Sequence, residues 1–148
     1  MNIEVSGASD RASTVAATDG GSKGLRVGLW VAQVLLALLF GFSGAMKLAL
    51  PYAKLLTQGA WVTHVPENLV KFIGVAELSG AVGLILPAAT RIKPFLTPLA
   101  AAGFVVIMVL ASALHLSIGE RPIAQLLICG LAAFIVWGRL RKAPIASR

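Results

Sequence analysis

The chain has 148 residues, of which 57% are hydrophobic and only 13% are charged. Soluble domains average about 25% charged residues, so this composition excludes an ordinary soluble domain and favours membrane-spanning segments. The net charge is +7, but no basic face with interleaved aromatic residues is present, and we expect no nucleic-acid binding. The single cysteine, Cys129, cannot form an internal disulfide or a paired-cysteine redox motif.

The first part of the chain, residues 1–24, is rich in Ser, Ala, Thr, Gly and Asp and has no periodic apolar face. This composition predicts a disordered cytoplasmic tail. A short basic region followed directly by an apolar core is absent, so a signal peptide is not predicted. We expect the membrane domain to occupy residues 25–140 and a basic cytoplasmic tail to occupy residues 141–148.

Four long apolar runs follow the tail, and each approaches the roughly 20 helical residues that cross the hydrocarbon layer. The predicted spans cover residues 27–46, 69–88, 95–118 and 122–138. The connection between the first two is long and amphipathic, and it predicts a short interfacial helix around Tyr52 to Gly59. The expected fold is therefore all-α, a polytopic membrane protein built as a four-transmembrane-helix bundle.

Lysine and arginine are unequally distributed between the two ends of these spans. Of the 13 basic residues, nine lie on the side of the chain termini and four on the other side. Because basic loops favour the cytoplasm, we predict a multi-pass protein of the bacterial inner membrane with cytoplasmic N and C termini. The connection between the first two spans then faces outward.

Small residues recur four positions apart within the spans, as in the row of Ala37, Gly41 and Ala45 and the pair Ala76 and Gly80. Helices in lipid associate by close packing, so such rows indicate contact faces. These faces predict tight packing inside the bundle or, alternatively, a homodimer interface.

A small set of polar residues interrupts the apolar spans. Glu77 lies in the middle of the second span, where an unpaired charge costs about 2.5–3.5 kcal/mol. Its best candidate partner is Lys47, which closes the first span at the same end of the bundle. The candidate site residues are Lys47, Glu77, His115, Ser43 and Gln125. They predict either a pocket for a small polar or quinone-like ligand, a proton-handling site, or a polar network that only fixes helix packing.

At these residues the chain resembles the DoxX-like family of small bacterial integral membrane proteins. The matching motifs are Phe42-Ser43-Gly44 leading to Lys47-Leu48, Gly74-Val75-Ala76-Glu77-Leu78 with Gly80-Ala81, then Pro87, residues 97–103 and His115. The resemblance covers about residues 25–140. It implies a four-helix integral membrane protein linked to quinone-dependent redox complexes, because the founding members look like membrane subunits of quinol or thiosulfate oxidoreductases. It supplies no catalytic residues.

We therefore expect an accessory or membrane-anchor subunit beside a quinone-linked redox system, with an outward-facing polar site. The alternatives are a stand-alone carrier for a small solute or proton, and a quinone-reactive oxidoreductase. The lack of an inverted repeat or broken helix disfavours the carrier, and the lack of a cofactor motif disfavours the enzyme. One cysteine and two histidines predict no metal or haem site. Quinone is the one cofactor that the resemblance suggests.

Overall fold

The computed structural model describes residues 3–147, with side chains from residue 23 onward. Its α-helices are α1 (Ile3–Ala49), α2 (Tyr52–Leu55), α3 (Glu67–Thr90), α4 (Leu96–Ser117) and α5 (Ile123–Trp137). Four segments are long and apolar enough to cross a membrane: Lys23–Ala49, Glu67–Thr90, Leu96–Ser117 and Ile123–Lys142. No strand occurs in the described part of the chain. The predicted all-α fold with four transmembrane helices is confirmed.

The two ends of the chain were both predicted to be cytoplasmic tails. Side chains are described only from residue 23 onward, so the predicted disorder of residues 1–24 is not tested and stays a prediction. At the other end a π-helical turn, Gly138–Lys142, continues α5. The Ala143 amide donates to the Gly138 carbonyl at 2.7 Å, the i to i+5 bond that defines such a turn. The fourth span therefore continues past the predicted end at residue 138.

Proline and a left-handed residue shape α3. Pro66 precedes its first turn, where a missing amide hydrogen costs nothing. Pro87 lies inside the helix and removes the amide that would otherwise bond to the Gly83 carbonyl. Arg91 then adopts a left-handed conformation with φ of 60°, and its amide donates to the Pro87 carbonyl. The chain leaves the helix there and turns tightly into α4.

The connection between α1 and α3 folds back on itself. It contains the helix α2 and a 3₁₀ turn, Ala60–His64, so the predicted interfacial helix is shorter than expected. The Tyr52 hydroxyl donates its one hydrogen to the Val65 carbonyl at 2.8 Å, and the Val62 carbonyl oxygen lies 3.2 Å from the same hydroxyl. Leu55, Val62 and Val70 form a small buried cluster beneath it. The connection therefore forms a packed layer over one end of the bundle.

The four spans form a ring in which α1 contacts α3 and α5, and α4 contacts the same two helices. The centre of the ring is apolar, and the rings of Phe40 and Phe104 stack across it with centroids 3.9 Å apart. Gly80 leaves the space that Phe104 fills, since a Cβ atom there would stand 2.6 Å from the phenyl ring. Large apolar side chains such as Phe42 and Leu127 are about 70% exposed on the outer faces, as expected for contact with lipid.

Candidate functional site

A buried ion pair joins α1 to α3. Lys47 Nζ lies 2.7 Å from Glu77 Oε2, and the two side chains are only 11% and 6% exposed. The same ammonium donates to Ser43 Oγ at 2.5 Å. It also lies 5.7 Å from the centre of the Trp61 ring, within range of a cation–π interaction. The contact predicted between Lys47 and Glu77 is present.

The position of Lys47 follows from the local packing of the helices. Gly44 and Gly74 bring the backbones of α1 and α3 together one turn from the pair. Ser43 precedes Lys47 by four residues and therefore lies on the same helix face, where its hydroxyl can accept from the ammonium. The ammonium is thus held by one carboxylate and one hydroxyl.

A second polar pair joins α4 to α5. His115 Nδ1 lies 2.7 Å from the Ala111 carbonyl oxygen, which can only accept, so Nδ1 carries the hydrogen. The other ring nitrogen, Nε2, lies 3.0 Å from the Gln125 amide nitrogen, which donates to it. These two bonds fit the neutral imidazole. The short connection between α4 and α5 brings the two residues to the same level.

Glu120 is a neighbour of this pair that the sequence did not suggest. Its carboxylate lies 3.6 Å from His115 Nε2 and is 44% exposed. The backbone contributes to this placement, because the Glu120 amide donates to the His115 carbonyl at 2.8 Å. Its position in the tight turn directly after the third span was the available signal, since a residue there must lie close to the last turn of α4.

One cavity of about 490 Å³ is lined by both polar pairs, Lys47–Glu77 and His115–Gln125. All five predicted residues line it, with Ser43 and Lys47 from α1, Glu77 from α3, His115 from α4 and Gln125 from α5. Trp61 from the 3₁₀ turn also lines it. The remaining lining residues are apolar. The two polar pairs share the cavity but no hydrogen bond joins one pair to the other in the described part of the chain. That the five residues bind a ligand stays a prediction.

The comparison with known families agrees with this architecture. A sequence model of the DoxX-like family matches residues 31–138, most of the chain and every residue of the predicted site. The chain belongs to the DoxX-like family. No curated protein and no solved structure matches this DoxX-like protein. Family membership and four apolar helices together make it an integral, multi-pass membrane protein.

A second buried polar cluster, which the sequence did not predict, lies at the other end of this DoxX-like protein. Gln33 is fully buried in α1, and its amide donates to the Leu84 carbonyl of α3 at 2.7 Å. Its oxygen accepts from Arg139 Nε at 2.7 Å and also from Arg139 Nη2. The guanidinium carbon lies 5.6 Å from the centre of the Trp30 ring. The cluster therefore ties three helices together.

Two signals could have indicated this cluster. Gln33 is the one amide in the first span, and a buried amide in lipid needs partners from neighbouring helices. Arg139 directly follows the fourth predicted span, and although such a basic residue usually only sets topology, this one is just 5% exposed. Among the described residues, no group of three or more His, Cys, Asp or Glu side chains is placed to hold a metal ion.

Proposed function

We propose that this DoxX-like protein is an accessory or membrane-anchor subunit of a quinone-linked redox system, and that its cavity binds a quinone ring. The observation that carries the proposal is the cavity itself, an apolar chamber that is lined by polar groups from all four spans. Its volume of about 490 Å³ falls in the usual range for small-molecule sites. A quinone ring has two apolar faces and two carbonyl acceptors, which suits such a lining.

The hydrogen-bond donors of the cavity match those two carbonyls in number. Lys47 has three ammonium hydrogens, and two of them are directed to Glu77 and Ser43. The Gln125 amide has two hydrogens, and one is directed to His115. One hydrogen therefore remains on each residue, and the two residues belong to different helices on the cavity wall. A quinone ring, with oxygens on opposite edges, can accept one hydrogen bond from Lys47 and one from Gln125.

The cavity also reaches the outer surface of the bundle. Leu39, Phe72 and Leu110 line it and are nevertheless 48%, 68% and 65% exposed. In a membrane this exposure is to acyl chains. A lipid-soluble ligand such as a quinone therefore has a lateral route from the bilayer, which a water-soluble solute does not need.

Location and orientation are part of the same proposal. The end of the bundle that carries Arg26, Arg139, Arg141 and Lys142 has the larger share of basic residues. By the positive-inside rule this end lies in the cytoplasm of a bacterial inner membrane. The cavity then opens in the outer half of the bilayer, where a periplasmic or extracellular redox partner would act.

Quinone binding is tested through Trp61, which lines the cavity. The protein is reconstituted in lipid nanodiscs and titrated with decylubiquinone, a short-chain quinone that quenches nearby indoles. We expect saturable quenching in the wild type and only the weak, linear quenching of Trp30 and Trp137 in Trp61→Phe. Equal quenching curves for the two proteins would contradict a quinone in this cavity.

The subunit role is tested separately, by isolating the protein from its own membranes in mild detergent. We expect a stoichiometric partner that carries a redox cofactor. A preparation that contains this chain alone, and that moves a solute or protons across liposomes, would instead support the carrier alternative.

A further inference from the structure

The end of the bundle opposite the cavity is rich in cations and has no described carboxylate. Within residues 23–147 the acidic residues are Glu67, Glu77 and Glu120, and all of them belong to the cavity end. The basic end is formed where the first span begins and the fourth span ends. Its cations include Arg26, Arg139, Arg141 and Lys142.

Arg139 is the unusual member of this group, because its charge is buried without an anion. Its Nε and Nη2 both donate to the neutral Gln33 oxygen. No ion pair links Arg139 to a carboxylate of the described residues, and no hydrogen bond there uses its Nη1. A buried cation is stable only with compensating partners, and guanidinium pairs best with carboxylate or phosphate. The free donors of Arg139 are therefore suited to an anion from outside the bundle.

Two further groups adjoin Arg139 at the surface. The Trp30 ring packs against the guanidinium, and Arg26 precedes Trp30 by four residues on the same face of α1. Arg26 is exposed, and its charge is close enough to act on Arg139. No hydrogen bond to another described residue occupies the Arg26 guanidinium or the Trp30 indole N–H. Arg26 and Arg139 are thus two like charges at one end of the bundle, and an anion bound between them would relieve their repulsion. The Trp30 indole N–H is one more donor for that anion.

The depth of the cluster matches that of phospholipid phosphates. Arg26 directly precedes the apolar run predicted at residues 27–46, and Arg139 directly follows the run predicted at residues 122–138. Both residues therefore lie where a long apolar run meets polar sequence. This is the boundary between acyl chains and headgroups, where basic residues meet anionic lipid.

We propose that Arg26, Trp30 and Arg139 form a binding site for a phosphate group. Arg139 supplies the fixed donor, held by Gln33, and Arg26 closes over the anion from the surface. The phosphate of an anionic phospholipid headgroup and free inorganic phosphate share this chemistry. The site is separate from the cavity and does not depend on a quinone.

The test measures phosphatidylglycerol binding by native mass spectrometry of the full-length protein in detergent, with phosphatidylcholine as the reference lipid. Losing one charge-assisted hydrogen-bond partner weakens binding about tenfold or more. We expect this loss in Arg26→Gln and Arg139→Gln. The matched control is Arg141→Gln, which removes an exposed cation from the same turn and should leave the affinity within about twofold of wild type.

Two further measurements complete the test. A competition with inorganic phosphate identifies the source of the bound phosphate, and a second variant keeps the test valid if the first one misfolds. Inorganic phosphate that displaces phosphatidylglycerol from the wild type, but not from Arg139→Gln, would assign the site to free phosphate. Failure to displace it would assign the site to the lipid headgroup. Because Arg26 is exposed, Arg26→Gln should fold even if Arg139→Gln does not. If Arg26→Gln binds both ligands as tightly as Arg141→Gln, the proposal is wrong.

Discussion

Gly44 on α1 lies so close to Gly74 on α3 that a Cβ atom added to Gly44 would stand 2.7 Å from the Gly74 carbonyl oxygen. The close approach is mutual, because a Cβ atom at Gly74 would stand 2.9 Å from the Cβ of Lys47. Lys47 and Glu77 each follow one of these glycines by three residues, so their side chains meet one turn away. The two glycines thus set the helix separation at which the buried ion pair forms.

Gly44→Ala should therefore destabilise the bundle. The added methyl group meets backbone atoms that cannot move aside, and overpacking of this kind costs about 1–3 kcal/mol. The thermal unfolding midpoint in detergent measures the loss. The matched control is Gly103→Ala in α4, where nothing lies within 4 Å of the added atom. Since alanine favours helix by about 1 kcal/mol over glycine, the control should be as stable as wild type or more so. Equal midpoints for the two variants would contradict this packing.

The Lys47–Glu77 pair is tested by a double-mutant cycle. Glu77→Ala or Lys47→Ala leaves the partner charge buried and unpaired, and each should lower the free energy of unfolding by about 3–5 kcal/mol. The double variant should lose less than the sum, by about 0.5–3 kcal/mol. Glu77→Gln retains a hydrogen-bond acceptor, so this variant should insert into the membrane normally, while the cavity loses its carboxylate. Additive losses in the cycle would mean that the two side chains do not interact.

The apolar runs predicted the four spans because a helix in lipid needs little more than length and hydrophobicity. The pairing of Lys47 with Glu77 was also predictable, since a carboxylate at membrane depth needs a partner and few were available. The contact face of α1 was predicted only in part. Of the row Ala37, Gly41 and Ala45, Ala37 packs against the core and Gly41 faces Ala81 of α3. Ala45 is exposed, however, and Gly44 makes the close approach to Gly74. The spacing of small residues indicates which helix faces can pack closely. The rotation of a helix about its own axis, however, depends on all of the helices that it contacts.

The Gln33–Arg139 cluster escaped prediction for another reason. A basic residue at the end of a span usually extends its charge to the headgroups, so the sequence indicated only a role in topology for Arg139. In the structure Gly138 packs against Leu29 of α1 without room for a side chain. This contact brings the following residue inward, where Gln33 accepts its guanidinium. The burial of Arg139 therefore depends on the neutral residue Gln33 and on the contact between Gly138 and Leu29. Neither of these leaves a periodic pattern in the sequence.

Gln33→Leu should reveal how much this cluster contributes. The change removes the acceptor for Arg139 and the donor to the Leu84 carbonyl, and hydrogen bonds to charged groups are worth about 1.5–3 kcal/mol. The midpoint of thermal unfolding in detergent should fall accordingly. Val34→Ala changes an adjacent residue that is 43% exposed to lipid and should have little effect. Arg139→Leu in the Gln33→Leu background should recover part of the loss, because no buried charge then remains. A Gln33→Leu protein as stable as wild type would contradict the prediction.

Gln125 offers the sharpest test of the cavity as a quinone site. Its side chain lines the cavity and contacts His115, whereas Leu126, the next residue on α5, is 60% exposed and lies outside the cavity lining. Gln125→Leu keeps a similar volume but removes the donor proposed for one quinone oxygen. We expect decylubiquinone to quench Trp61 with about tenfold weaker affinity in Gln125→Leu, and with unchanged affinity in Leu126→Ala. Because both changes lie on the same turn, a general loosening of α5 would weaken quenching in both variants. Only a loss confined to Gln125→Leu shows that the amide contacts the ring.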